Sequence, residues 1–202
     1  MGESLEYASS LLRDPHHFHW YIVPLLALVI YVYAVEIERR NWKAVAAGLA
    51  FYGAEWFIEV VNALWLHFSG RAPLWGTPAD SAYVILTGLN IEISFMFAIY
   101  GIIVAKVLSS VKNRFLVIII FSFFCAAVET VLNYWGALTW DYWWWGWPHI
   151  WSVILFAYGP GTAIAVWAHD MKSNRLKWSL IVGTFAMDAA LLWVGIGVLG
   201  WI

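Results

Sequence analysis

Six long apolar stretches separated by short connections leave this chain few folds to choose from. They lie at about Trp20–Glu36, Ala44–Leu66, Ala82–Val107, Phe115–Tyr134, Ile150–Trp167 and Trp178–Gly200. At about 1.5 Å per helical residue, each is long enough to cross a hydrocarbon layer about 30 Å thick. With 63% hydrophobic and 12% charged residues and a mean hydropathy of +0.73, the 202-residue chain is unlike a soluble domain. The expected fold is an all-α membrane protein, a six-transmembrane-helix bundle making one polytopic membrane domain over residues 1–202.

The basic residues orient that bundle. Arg39, Arg40 and Lys43 follow the first span, Lys106, Lys112 and Arg114 join the third to the fourth, and Lys172, Arg175 and Lys177 join the fifth to the sixth. Nine of the eleven Lys and Arg residues thus fall at one end, with only Arg13 and Arg71 at the other, and the basic end is expected to face the cytoplasm. Both termini are then non-cytoplasmic. Residues Met1–His19 carry acids and no apolar core, so no cleavable signal peptide is expected and the first span inserts as its own signal. The expected location is a multi-pass position in the plasma membrane, or the inner membrane if the source is bacterial.

Five carboxylates lie inside these spans: Glu55, Glu59, Glu92, Glu129 and Asp188. A carboxylate at bilayer depth costs at least roughly 2.5 kcal/mol, so each needs a partner or a task. Residues four and seven apart share a helix face, which puts Glu55, Glu59 and Asn62 on one stripe and Ser122, Glu129 and Asn133, with Cys125 beside them, on another. Thr184, Asp188 and Gly195 form a sparser stripe, whereas Asn90 and Glu92 differ by about 200° around a helix axis and cannot share one face. Counted along the spans, Glu55, Glu92 and Asp188 fall near the midplane, and Glu59 and Glu129 fall in the non-cytoplasmic half. A short pattern recurs, Glu59 followed by Asn62 and Trp65, and Glu129 followed by Asn133 and Trp135, which reads as similar surroundings rather than an internal repeat.

Other features concern packing. Ala46, Ala50 and Ala54 make a small-residue stripe for close helix approach. Tyr158-Gly159-Pro160-Gly161 predicts a kink or broken turn in the fifth span. The single cysteine, Cys125, excludes an intrachain disulfide and reads as a buried, inert thiol. The loop holding Trp140, Tyr142, Trp143, Trp144, Trp145, Trp147, Pro148 and His149 reads either as an interfacial aromatic belt or as a lid over a cavity.

Burial favours the neutral form of a carboxylic acid, and a neutral acid in a dry aromatic cavity is a strong proton donor. The 16 Trp, 10 Tyr and 12 Phe residues supply π faces that stabilise a developing cation. This environment suits protonation of an alkene or epoxide. Ala54-Glu55-Trp56, the run Leu89-Asn90-Ile91-Glu92-Ile93 and the late acid Asp188 resemble the small integral-membrane terpene cyclases of meroterpenoid pathways. The resemblance implies Glu55 and Asp188 as the acid pair that starts and finishes a cyclisation, with Glu92 in support. It departs from that family in having six spans instead of seven and in placing Trp56 after its acid.

The leading expectation is therefore an enzyme performing acid/base chemistry, cyclisation or isomerisation, on a lipophilic, isoprenoid-like substrate. Glu55 is the expected general acid, Asp188 its partner, and Glu59, Glu92 and Glu129 tune or complete the site. Trp56, Asn62, Trp65, Asn90, Asn133 and Tyr158 are the expected substrate-binding residues, and no cofactor is required. One alternative is a transition metal held by His16, His19, His67, His149, Glu59 and Glu129, with His17 adjacent, in a membrane oxidase or hydroxylase. The sequence has no Glu-x-x-His pair to support it. Another alternative is a non-enzymatic subunit binding a pigment, quinone or lipid, or a small transporter, for which a homodimer is among the assemblies open to it. The expected partners are a lipophilic small molecule and membrane lipid. Nothing in the chain suggests binding of nucleic acid.

Overall fold

The structure, a computed structural model, describes residues 10, 12–78 and 83–202. Much of the Met1–His19 segment and residues 79–82 of the loop before the third span lie outside the described residues. Among the described residues six long helices follow one another: α1 (Ile22–Glu38), α2 (Trp42–Ser69), α3 (Ile91–Leu108), α4 (Arg114–Tyr134), α5 (Trp151–Asp170) and α6 (Asn174–Val198). The helices α2 to α6 are long and apolar enough to cross a membrane. A two-stranded antiparallel hairpin, β1 (Val84–Leu86) and β2 (Leu89–Asn90), precedes α3.

That hairpin corrects the third span, which was expected to be helical from Ala82. The apolar run satisfies a hydropathy criterion, but residues 84–90 turn back on themselves through Thr87-Gly88, and the helix starts only at Ile91. Asn90 is therefore not within a helix. Its side chain caps α3, accepting from the Ile93 N–H at 2.9 Å, which removes the conflict between the faces of Asn90 and Glu92. Glu92 moves from the expected midplane to the first turn of α3, where an acid complements the helix dipole and accepts a hydrogen bond from the Tyr21 hydroxyl.

Short turns at one end of the bundle join α1 to α2, α3 to α4 and α5 to α6, and this end carries the nine basic residues. Asn41, Asn113 and Ser173 start the three returning helices by accepting from the N–H groups of Ala44, Leu116 and Leu176. Ion pairs tie the same end together. Lys106 Nζ lies 2.9 Å from buried Glu36, whose other oxygen accepts from Asn41 at 2.7 Å. Arg114 bonds both oxygens of Asp170 at 2.7 and 3.0 Å, a bidentate geometry that links α4 to α5.

The most buried helix is α2, which packs against α3, α5 and α6, while α4 and α6 leave most of their surface facing outward. Small residues permit these approaches. Gly101 of α3 lies against the backbone of Ala47 and Gly48, Gly53 faces Thr184 and Phe185 of α6, and Ala46 and Ala50 pack with Ala168 and Ile181. In α5 the expected break takes the form of a wider helical turn over Ile154–Tyr158, with the Gly159 N–H bonded to the Ile154 carbonyl, just before Pro160.

The end opposite the basic turns is closed by a cap built from residues 71–78, 83–90 and 135–150. Gly76 and Thr139 exchange backbone hydrogen bonds at 3.1 and 2.9 Å, and the Tyr142 hydroxyl donates to the Ala72 carbonyl at 3.0 Å. Arg13 reaches the carbonyls of Ile85 and Ile202, drawing both ends of the chain onto the cap. The Trp-rich loop divides its aromatic rings: Trp143 and Trp147 are exposed, whereas Trp145 is buried and stacks on Trp75 with ring centroids 5.3 Å apart. The loop is thus partly a surface belt and partly a cover.

Candidate functional site: an acid-lined cavity between α3 and α4

Three of the five intramembrane carboxylates converge. Glu55 and Glu59 lie one turn apart on the buried face of α2, and Glu129 of α4 shares a cavity wall with Glu59. The Tyr158 hydroxyl of α5 donates to Glu129 Oε1 at 2.6 Å. The Trp75 indole N–H, brought in by the cap, donates to both oxygens of Glu59 at 3.1 and 3.2 Å. Glu129 Oε2 and Glu55 Oε1 are both buried without a close hydrogen bond.

Glu59, Glu129 and Tyr158 form the polar wall of a cavity of about 380 Å³. Most of the remaining lining is apolar and includes Ile93, Phe97, Ile99, Val128 and Leu132. Its mouth opens sideways between α3 and α4, since the lining residues Met96 and Phe124 are 53% and 60% exposed. In a membrane that opening faces lipid, and the volume is in the range of a small-molecule site. Cys125, expected to be inert in the core, is half-buried in this wall with Tyr100 against it.

Glu55 sits behind the wall. Gly161 of α5 packs directly on Glu55 Oε1, so the Gly-Pro-Gly motif makes room for a carboxylate as well as loosening the helix. Asp188 is also buried, with both oxygens unpartnered, but it does not line the cavity. The reason is rotational: α6 meets α2 at Gly53, and Gly53 and Glu55 are about 200° apart around α2. The Glu55–Asp188 pair implied by the resemblance is therefore not gathered in this cavity, and neither is Glu92, which binds Tyr21 at the start of α3.

The asparagines expected to bind substrate are instead occupied by backbone. Asn62, fully buried, accepts from the Leu74 N–H at 2.8 Å and donates to the Trp75 carbonyl at 2.8 Å; Asn133 donates to the Leu138 carbonyl at 2.9 Å. The recurring Glu and Asn pattern thus has one meaning in both helices, with the acid facing the cavity and the amide anchoring the loop that follows. Trp65 lines a second, apolar cavity of about 640 Å³, bounded by α2, α5, α6 and the cap. Trp56 lies in neither cavity and packs edge-on against Tyr52.

The histidines do not approach Glu59 and Glu129 as the metal alternative requires. His67 stacks on Trp201 and His149 meets Trp143 edge-on, while His16 and His17 belong to a single short turn before α1 and His19 stacks on Tyr21. Among the described residues no three His, Cys, Asp or Glu side chains are grouped to hold a metal ion. Sequence reasoning missed Trp75, Tyr100 and Gly88 as cavity residues. Only Trp75, a large aromatic between Pro73 and Gly76 in a loop, carried even a weak signal.

Residues 2–197 match the model of an uncharacterized membrane protein family. The chain belongs to that family. A relative from Archaeoglobus fulgidus, described only as an uncharacterized protein, is 42% identical over 203 residues, covering 96% of this chain and 96% of its own length. No solved structure matches the chain. Family membership and the apolar helices together make this a multi-pass integral membrane protein.

Proposed function

We propose that this protein is a membrane enzyme that performs proton-transfer chemistry, an isomerisation or cyclisation, on a lipophilic, isoprenoid-like molecule taken directly from the bilayer. The observation that carries this reading is the placement of two carboxylates, Glu59 and Glu129, on the inner wall of an apolar cavity whose mouth opens between two outward-facing helices. A neutral carboxylic acid at one position and a carboxylate at the other supply a proton donor and a proton acceptor. One proton is delivered to the substrate and one is withdrawn, so the reaction needs no net proton and no cofactor. The apolar lining keeps water from intercepting a cationic intermediate, and the Phe97 and Tyr100 rings offer it π faces. Of the resemblance to membrane terpene cyclases, this reading keeps the class of chemistry and moves the acids from Glu55 and Asp188 to Glu129 and Glu59.

Substrate entry is tested by closing the mouth. Val128 lines the cavity and is only half-buried, so Val128→Trp is expected to fill the space without unfolding α4. Lipophiles extracted from purified wild-type protein should include a species enriched over bulk lipid, and Val128→Trp should lower it at least tenfold. Equal amounts from both proteins would remove the cavity as the binding site.

A second reading, a lipophile-binding subunit without chemistry, is favoured by the second cavity, whose walls carry no acid. The comparison that separates the two readings is conversion of the lipophile, which only the enzyme produces.

We also propose six spans, with α1 as the first and both termini non-cytoplasmic, on the strength of the nine-to-two distribution of basic residues. In a Cys125→Ala background, Lys43→Cys, Lys112→Cys and Arg175→Cys should resist an impermeant maleimide in intact cells. Trp143→Cys, on the cap, should react. The opposite labelling pattern would reverse the orientation.

A further inference from the structure

We propose that Trp75 is a positioning residue for Glu59, through which the cap sets the orientation of a carboxylate in the membrane; this rests on the acid/base reading of the α3–α4 cavity. Trp75 belongs to the loop after α2 and to no helix, yet its N–H spans both oxygens of Glu59. The residue is held at its backbone, at one face of its ring and at its indole nitrogen. Asn62 grips the backbone on either side of it, Trp145 stacks on its face at an interplanar angle of 17°, and Gly88 of the hairpin turn packs on the indole nitrogen. The neighbouring Gly76 is pinned to Thr139.

Trp75 also lines both cavities, so its ring is a shared wall between the acid-lined space and the apolar one. A donor placed across both carboxylate oxygens restrains rotation of Glu59 toward a ligand. Glu59 can turn only if the ring moves, and the ring is tied to Asn62, Trp145 and Gly88. Gly88 is the sensitive point, because a Cβ there would run into both Trp75 Nε1 and Asn62 Nδ2. No positive φ requires glycine at this position, so what excludes a larger residue is the approach of Trp75 and Asn62.

Infrared difference spectroscopy on the purified full-length protein tests this without a substrate. The Glu59 carboxyl band is assigned by its loss in Glu59→Gln, and the Glu129 band by its loss in Glu129→Gln. Trp75→Phe keeps an aromatic ring but removes the N–H, and it is expected to shift the Glu59 band while leaving the Glu129 band in place. Gly88→Ala, which removes no hydrogen-bonding group, is expected to shift the same band by displacing the indole. Circular dichroism checks that both variants are folded, and if Gly88→Ala is not, Trp75→Phe decides. A Glu59 band at the wild-type position in Trp75→Phe, or in folded Gly88→Ala, overturns the proposal. Movement of both carboxyl bands together also overturns it, since that is general loosening. A selective shift in a protein that converts no lipophile leaves the role of Trp75 standing and removes only the acid/base reading.

Discussion

Changing Glu129 to Gln is expected to lower conversion of the lipophilic substrate by about 10²–10⁴-fold, the usual worth of a positioned acid or base. The amide keeps the size of the side chain and can still accept the Tyr158 hydrogen bond at Oε1, so the bundle should assemble normally. What it loses is the exchangeable acidic proton beside the cavity. Glu59→Gln should fall in the same range, because Glu59 shares that wall and already holds a donor from Trp75. The resemblance alone ranks Glu55 and Asp188 first, but Glu55 lies behind the wall under Gly161 and Asp188 does not line the cavity. Glu55→Gln and Asp188→Asn are therefore expected to cost less activity than Glu129→Gln. The measurement is an untargeted profile of apolar lipids in membranes carrying each variant at matched protein levels. Wild-type membranes should lack, or be depleted in, a species that accumulates with Glu129→Gln. Identical profiles for wild type and Glu129→Gln would sink the acid/base reading and leave the binding subunit.

The largest loss of stability is expected from Gly101→Val. An added Cβ at Gly101 would lie 2.7 Å from the Ala47 carbonyl oxygen, 2.7 Å from Phe51 Cβ and 2.8 Å from Gly48 Cα. Two of these are backbone atoms of α2 and cannot swing away, so α2 and α3 must separate along their main contact. Ordinary overpacking costs about 1–3 kcal/mol, and a backbone clash belongs at or beyond the top of that range. Gly183 is the control, because a Cβ there meets nothing within 4 Å. Melting in detergent should fall by at least about 4 °C for Gly101→Val and stay near wild type for Gly183→Ala. Equal melting of the two variants would mean that α2 and α3 do not meet at this seam.

Much of the framework is legible from local pattern. Long apolar runs, buried acids and basic turns are each written over one helix length, because the bilayer imposes its demands residue by residue. Helical period likewise puts Glu55, Glu59 and Asn62 on one stripe, and all three are buried. The same local signal fails at residues 84–90, where hydropathy alone does not distinguish a hairpin from the start of a helix. Period also does not show that Asn62 and Asn133 are used up by backbone 5–13 residues further along the chain.

The sequence by itself determined that this is a helical membrane protein, roughly where most of its helices lie and which end carries the positive charge, and it marked Glu55, Glu59, Glu129 and Asp188 as acids that must be sheltered. Only the tertiary structure decided which of those acids share a cavity. The period of one helix sets which residues share its face, but not which neighbour that face meets. That choice depends on how far each helix is rotated, and the rotation is set by distant contacts: Gly101 on α2, Gly53 under Thr184 and Gly161 over Glu55. These contacts set the face that α2 turns to its neighbours, while the Tyr158 hydroxyl holds Glu129 at the same wall as Glu59 and the Trp75 indole enters from a loop.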